Sequence, residues 1–115
     1  MRLLVAVVAA LALAPAAADA FTPAHGTYAG HDLGNRPVHF AYVGQHVESW
    51  RLDNRIDVGR AYVSSNGHGF HVHQGHHDLK GRWTDARHVA GTYGYYRQTS
   101  RGPVHVTIHW TASLQ

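Results

Sequence analysis

A chain of 115 residues with no cysteine, 10 Lys or Arg, 7 Asp or Glu and 12 His has room for one domain and excludes disulfide stapling and thiol chemistry. Its formal charge of +3 is scattered without a basic run, so no nucleic acid is expected as a partner. Protonating every imidazole would raise that charge to +15, which makes it unusually sensitive to pH between about 5 and 8.

The first 20 residues differ from the rest. Arg2 precedes an apolar run from Leu3 to Ala14, Pro15 breaks that run, and Ala18-Asp19-Ala20 matches a signal-peptidase site. Twelve apolar residues are too few to span a bilayer, which needs about 20. Residues 1–20 are therefore expected to be a cleaved signal peptide, and residues 21–115 a secreted or periplasmic domain with no transmembrane segment.

Beyond Ala20 the apolar period is two, not 3.6. A first strand is expected around His25 to Gly30. Val38, Phe40 and Tyr42 then alternate with His39 and Ala41, and Trp50 and Leu52 share a face. Val58 to Ser64 forms a fourth segment. Phe70 and Val72 alternate with His71 and His73, and Leu79 and Trp83 flank Gly81. Val89 to Tyr96 is a long strand interrupted by glycine. In the last strand Val104, Val106, Ile108 and Trp110 face away from His105, Thr107 and His109. Val43 to His46, Ser65-Asn66-Gly67, Gln74 to Asp78 and Thr84 to Arg87 read as hairpin loops. The prediction is a monomeric all-β domain: one antiparallel meander of about eight strands, closed as a small barrel or folded as a two-sheet sandwich. Its expected core is Phe40, Trp50, Tyr62, Phe70, Val72, Trp83, Val89, Val106, Ile108 and Trp110.

The pieces Gly26-Thr27-Tyr28, Arg36-Pro37-Val38-His39-Phe40, Lys80-Gly81-Arg82-Trp83, His88 to Tyr93 and Ile108-His109-Trp110-Thr111-Ala112 appear in that order. In this the chain resembles a group of small exported bacterial all-β domains of uncharacterised function. The resemblance implies the fold and no catalytic site, and the cysteine pair of many members is absent here. Gly81-Arg82-Trp83-Thr84-Asp85 and Gly91-Thr92-Tyr93 are also similar to avidin-like barrels, from which no ligand is carried over.

Chemistry concentrates between His68 and Asp78. His71 and His73 stand two apart on a strand, so they share a face with Cβ atoms about 7 Å apart, a spacing that suits chelation. His68, His76, His77 or Asp78 could add the third ligand that Zn, Cu or Ni requires. The other reading is a row of ordinary solvent-facing strand residues. His105 and His109 share a face about 13 Å apart, too far to hold one ion together. Ser64, Ser65 and Ser100 lie in no nucleophile motif, and the acidic residues are scattered as turn residues are, so no enzyme is expected. Tyr95 and Tyr96 are adjacent, so one of them must face outward. Two functions remain open: a non-catalytic exported domain that binds a partner or envelope component through its surface, and an exported metal-binding protein.

Overall fold

Short strands with alternating polarity need one covered face, and a meander can supply it by curling until its ends meet. A computed structural model of the chain describes residues 21–55, 59–64 and 68–115. The expected signal peptide, Val58 and the Ser65-Asn66-Gly67 loop lie outside the described residues. The strands are β1 (Gly26–Asp32), β2 (Pro37–Val43), β3 (His46–Leu52), β4 (Ala61–Tyr62), β5 (Gly69–Gln74), β6 (His77–Asp85), β7 (His88–Thr99) and β8 (Gly102–Leu114). They form one antiparallel sheet in the order β4-β3-β2-β1-β8-β7-β6-β5, so the order around the sheet is the order in sequence. The bridge Val63–Phe70 and the Ser64 N–H donating to the Gly69 carbonyl at 2.7 Å nearly close the two edges into a barrel. Among the described residues no helix is long and apolar enough to cross a membrane.

The turns follow local chemistry. Gly44 (φ 62°) and Gly75 (φ 60°) take the left-handed conformation that tight hairpins require, at two of the four loops anticipated from sequence. The β1–β2 turn uses Asn35 (φ 65°), a residue that tolerates this region. Around it the backbone N–H of Arg36 donates to Asp32 Oδ1 at 2.8 Å.

Inward side chains fill the interior with rings. Tyr28, Phe40, Tyr42, Trp50, Phe70, Trp83, Tyr93 and Trp110 are all buried. Phe40 lies 5.0 Å from Tyr28 and 5.8 Å from Trp110 between centroids, and Phe70 lies 5.7 Å from Trp83. Room for them comes from glycine. A Cβ on Gly91 would stand 2.0 Å from the Lys80 carbonyl oxygen and 2.6 Å from Trp110. Because the first obstacle is backbone, no side-chain rotation relieves it. Gly91→Ala should therefore destabilise the domain by about 1–3 kcal/mol. Chemical denaturation checks this, and an unchanged midpoint would refute the packing given for Gly91.

One expectation needs correction. Tyr62 is 67% exposed, not core, and Ala61 takes the inward place beside it. Strand β4 has only two residues, too short for a period to fix its phase. In β3 alternation alone would turn Glu48 inward with Trp50. Instead a bulge at Ser49 (φ 57°) puts two residues between Val47 and Trp50, and both are buried. Val72 and Val106 are partly buried against the core, and the other expected core residues are buried.

Candidate functional site

The register of β5 and β6 pairs His73 with Asp78 and His71 with Lys80. All four point outward. An ionised carboxylate can only accept, so both rings donate to the same oxygen of Asp78: His71 Nε2–H at 2.6 Å and His73 Nδ1–H at 3.3 Å. The His71 bond, with help from His73 and the charge of Lys80, holds the Asp78 carboxyl below its usual range against the effect of burial.

The other residues singled out around this pair are engaged elsewhere. His68 Nε2 pairs with the Phe21 carbonyl oxygen at 3.0 Å, and its ring stacks on Phe21. The hydroxyl of Tyr93 donates to His77 Nδ1. Burial, with Tyr95 adding, pushes that phenol up to about 12, so it stays a donor. His76 meets the edge of Tyr96, which in turn meets His105. Of the adjacent tyrosines, Tyr95 packs on the core and Tyr96 is exposed.

Zinc ligands at about 2.0–2.1 Å from the ion stand about 3.3 Å apart. The His73–Asp78 separation meets this spacing, whereas the His71–Asp78 separation is shorter. Among the described residues no three His, Asp or Glu side chains are arranged to hold a metal ion.

A second grouping arises from register across distant strands. The outward residues Arg82, Ala90, Thr111 and His31 form one row over β6, β7, β8 and β1. The neighbouring rows bring His88 opposite Ser113, and His109 opposite Thr92. Small residues in this lattice leave an open groove of about 520 Å³, lined by His31, Thr84, His88, Thr111 and Ser113 over Ala29 and Ala90. A second groove of about 240 Å³ shares His31, Ala90 and Thr111 and ends at His109 and Leu33. Alternation assigned His109 to the outward face of the last strand, but nothing in sequence indicates that His31 and His88 lie near it.

The carboxylates are mostly tied up. Asp32 pairs with Arg36 at 2.8 Å, and Glu48 accepts from His46 at 3.0 Å with Arg60 at 3.8 Å. Asp85 accepts from the Arg87 backbone and from His88, both at 2.8 Å. Those bonds, the backbone one first, lower its carboxyl.

No protein-family model, curated protein or solved structure matches the chain.

Proposed function

We propose that the chain is a non-catalytic, exported β-domain that acts as a monomer and binds an envelope component through the outer face of its barrel. The observation that carries this reading is the filled interior. Eight buried aromatic rings among the described residues occupy the space where a ligand-binding barrel of this size would hold its ligand. Recognition is then left to the outside, where the groove over β1, β8 and β7 lies. The partnered state of Asp32, Glu48, Asp78 and Asp85 favours a binding role over acid–base work.

A second reading is an exported Zn, Cu or Ni binder, favoured by the convergence of His71 and His73 on one oxygen of Asp78. Metal analysis of protein purified without a tag or nickel resin decides between them.

The binding reading is tested by co-sedimentation with the cell-envelope fraction. Thr111→Trp, which fills the groove, is expected to abolish retention. Tyr62→Gln, exposed on β4 away from β1, β8 and β7, should retain it. Wild-type retention of the Thr111→Trp protein would end the outer-groove reading. Mass spectrometry of exported protein should find Phe21 at the N-terminus, and Met1 or Arg2 there would end the export reading.

A further inference from the structure

The outer face over β1, β8 and β7 gathers imidazoles from three strands. The larger groove there is walled by His31 from β1 and His88 from β7, and the smaller groove that continues it past His31 is walled by His109 from β8. On the β6 side lie Arg82, opposite Ala90, and Lys80, opposite Thr92. Asp85 there bonds to His88, and Asp78 bonds to His71 and His73 of β5. On the β2 side His39 lies opposite Ala29, and the Arg36–Asp32 pair closes the rim. Arg87 stands in the β6–β7 turn. In neutral solution Lys80, Arg82 and Arg87 stand against Asp78 and Asp85, which leaves the face close to balance. Imidazole is the side-chain class whose charge changes nearest neutrality, and three of them are gathered here on one outer face.

We propose that this groove is an acid-gated site for an acidic polysaccharide, held by protonated His31, His88 and His109 together with the hydroxyls of Thr84, Thr111 and Ser113. The inference rests on the outer-face reading and names the class of its ligand.

Three features select that class. The groove is extended: outward residues from Ser113 to His109 run about 13 Å along β8. Its walls alternate imidazole and hydroxyl, groups that serve both the acidic and the hydroxyl groups of a sugar chain. Its floor of Ala29 and Ala90 is shallow and small, so a chain can lie along it. A lipid surface would require an apolar patch, and among the described residues Leu33 is the one exposed large apolar side chain on the rim. A single-stranded nucleic acid would require exposed aromatic platforms, and the one large aromatic at the groove, Trp110, is buried.

Full-length chain, expressed with its N-terminal segment and purified without an affinity tag, is titrated with polygalacturonate at pH 5.0 and pH 7.5. Roughly tenfold tighter binding is expected at the lower pH, given the modest worth of each exposed charge pair. The triple variant His31→Gln, His88→Gln, His109→Gln should bind at pH 5.0 no better than at pH 7.5. Thr111→Lys supplies a permanent cation in the same groove and should bind more tightly at pH 7.5 than the natural chain does at that pH. That second variant keeps the test decisive if the triple variant does not fold. Equal affinity at both pH values overturns the proposal, as does a triple variant that keeps the pH response. So does preferential binding to neutral dextran, to phosphatidylglycerol vesicles or to single-stranded DNA. Envelope retention that Thr111→Trp abolishes, without any preference for polygalacturonate, would sink the acid gate and leave the outer-face reading standing. Absence of envelope retention would sink that reading itself.

Discussion

Trp83→Ala is expected to remove about 3–5 kcal/mol, a large part of the roughly 5–15 kcal/mol that holds a small domain folded. The indole is 2% exposed and packs against Tyr42 at 4.8 Å and Phe70 at 5.7 Å between centroids. It also begins a hydrogen-bonded chain. Its Nε1–H donates to the Tyr28 hydroxyl at 3.0 Å, which donates to the Ala24 carbonyl at 2.6 Å. Truncation thus leaves a cavity and loosens the segment before β1. Trp83→Phe keeps most of the ring and loses the N–H, so it should cost less than the alanine change. Trp50→Phe is the informative control. The indole nitrogens of Trp50 and Trp110 are the buried side-chain polar atoms without a partner among the described residues, so that change breaks no hydrogen bond. Denaturant midpoints should fall in the order Trp50→Phe, Trp83→Phe, Trp83→Ala, the last lowest. A midpoint for Trp83→Ala close to that of the natural chain would show that the core is not built around this ring.

Arg36→Ala should cost about 3 kcal/mol at pH 7 and less in acid. The Asp32 side chain is 1% exposed, and the partly exposed Arg36 guanidinium meets it through Nε and Nη2, each at 2.8 Å. Burial, the largest influence on this carboxyl, raises it. The bonds from the Arg36 backbone and side chain, together with the Arg36 charge, overcome that and hold it below its usual range. The natural pair thus contributes stability above the usual carboxylate range, and loses it as pH falls through the lowered folded value. Without the guanidinium, burial dominates and the folded carboxyl rises above its unfolded value. The variant then carries a buried charge at neutral pH, relieved as that carboxyl takes up a proton. The cost is placed at the low end for a broken buried pair, because Arg36 is partly exposed and its backbone bond survives. Melting temperatures of the two proteins should differ most at pH 7 and converge towards pH 4.5. A deficit of the same size at both pH values would refute the electrostatic account.

The parts of the fold legible in the sequence were those governed by nearest neighbours. Val106, Ile108 and Trp110 announce the inner face of β8, and Gly44 and Gly75 announce two turns. The course of β3 was not legible. The left-handed Ser49 breaks the period and turns Val47 and Trp50 inward together, and serine carries no strong signal for that conformation. Tyr62 was misplaced because a two-residue strand has no period to read. Val104 has the inward phase of β8 yet is 44% exposed, since β8 runs beyond the end of its pairing with β1. Periodicity gives a residue's face and not what covers that face. The same distinction governs the two side-chain groupings. His71, His73 and Asp78 come from one hairpin, and their spacing indicated that they could meet. His31, His88 and His109 come from three strands, and only the registers of β1 and β7 on β8 bring them around one groove.

The pairing of β1 with β8 also sets the timetable of folding. Tyr28 lies opposite Leu114, so the first strand finds one of its two neighbours at the far end of the chain. A polypeptide emerging N-terminus first can form the β1–β2–β3 hairpins early, but it cannot seal the barrel until β8 has appeared. Closing so long a loop costs entropy that few contacts have yet offset, and topologies dominated by such distant pairings fold in milliseconds to seconds. Until then the inward rings of β1 to β3, Tyr28, Phe40 and Trp50 among them, lack the cover that β8 brings. The eighth strand therefore acts as a latch: the domain is complete only once it seats between β1 and β7.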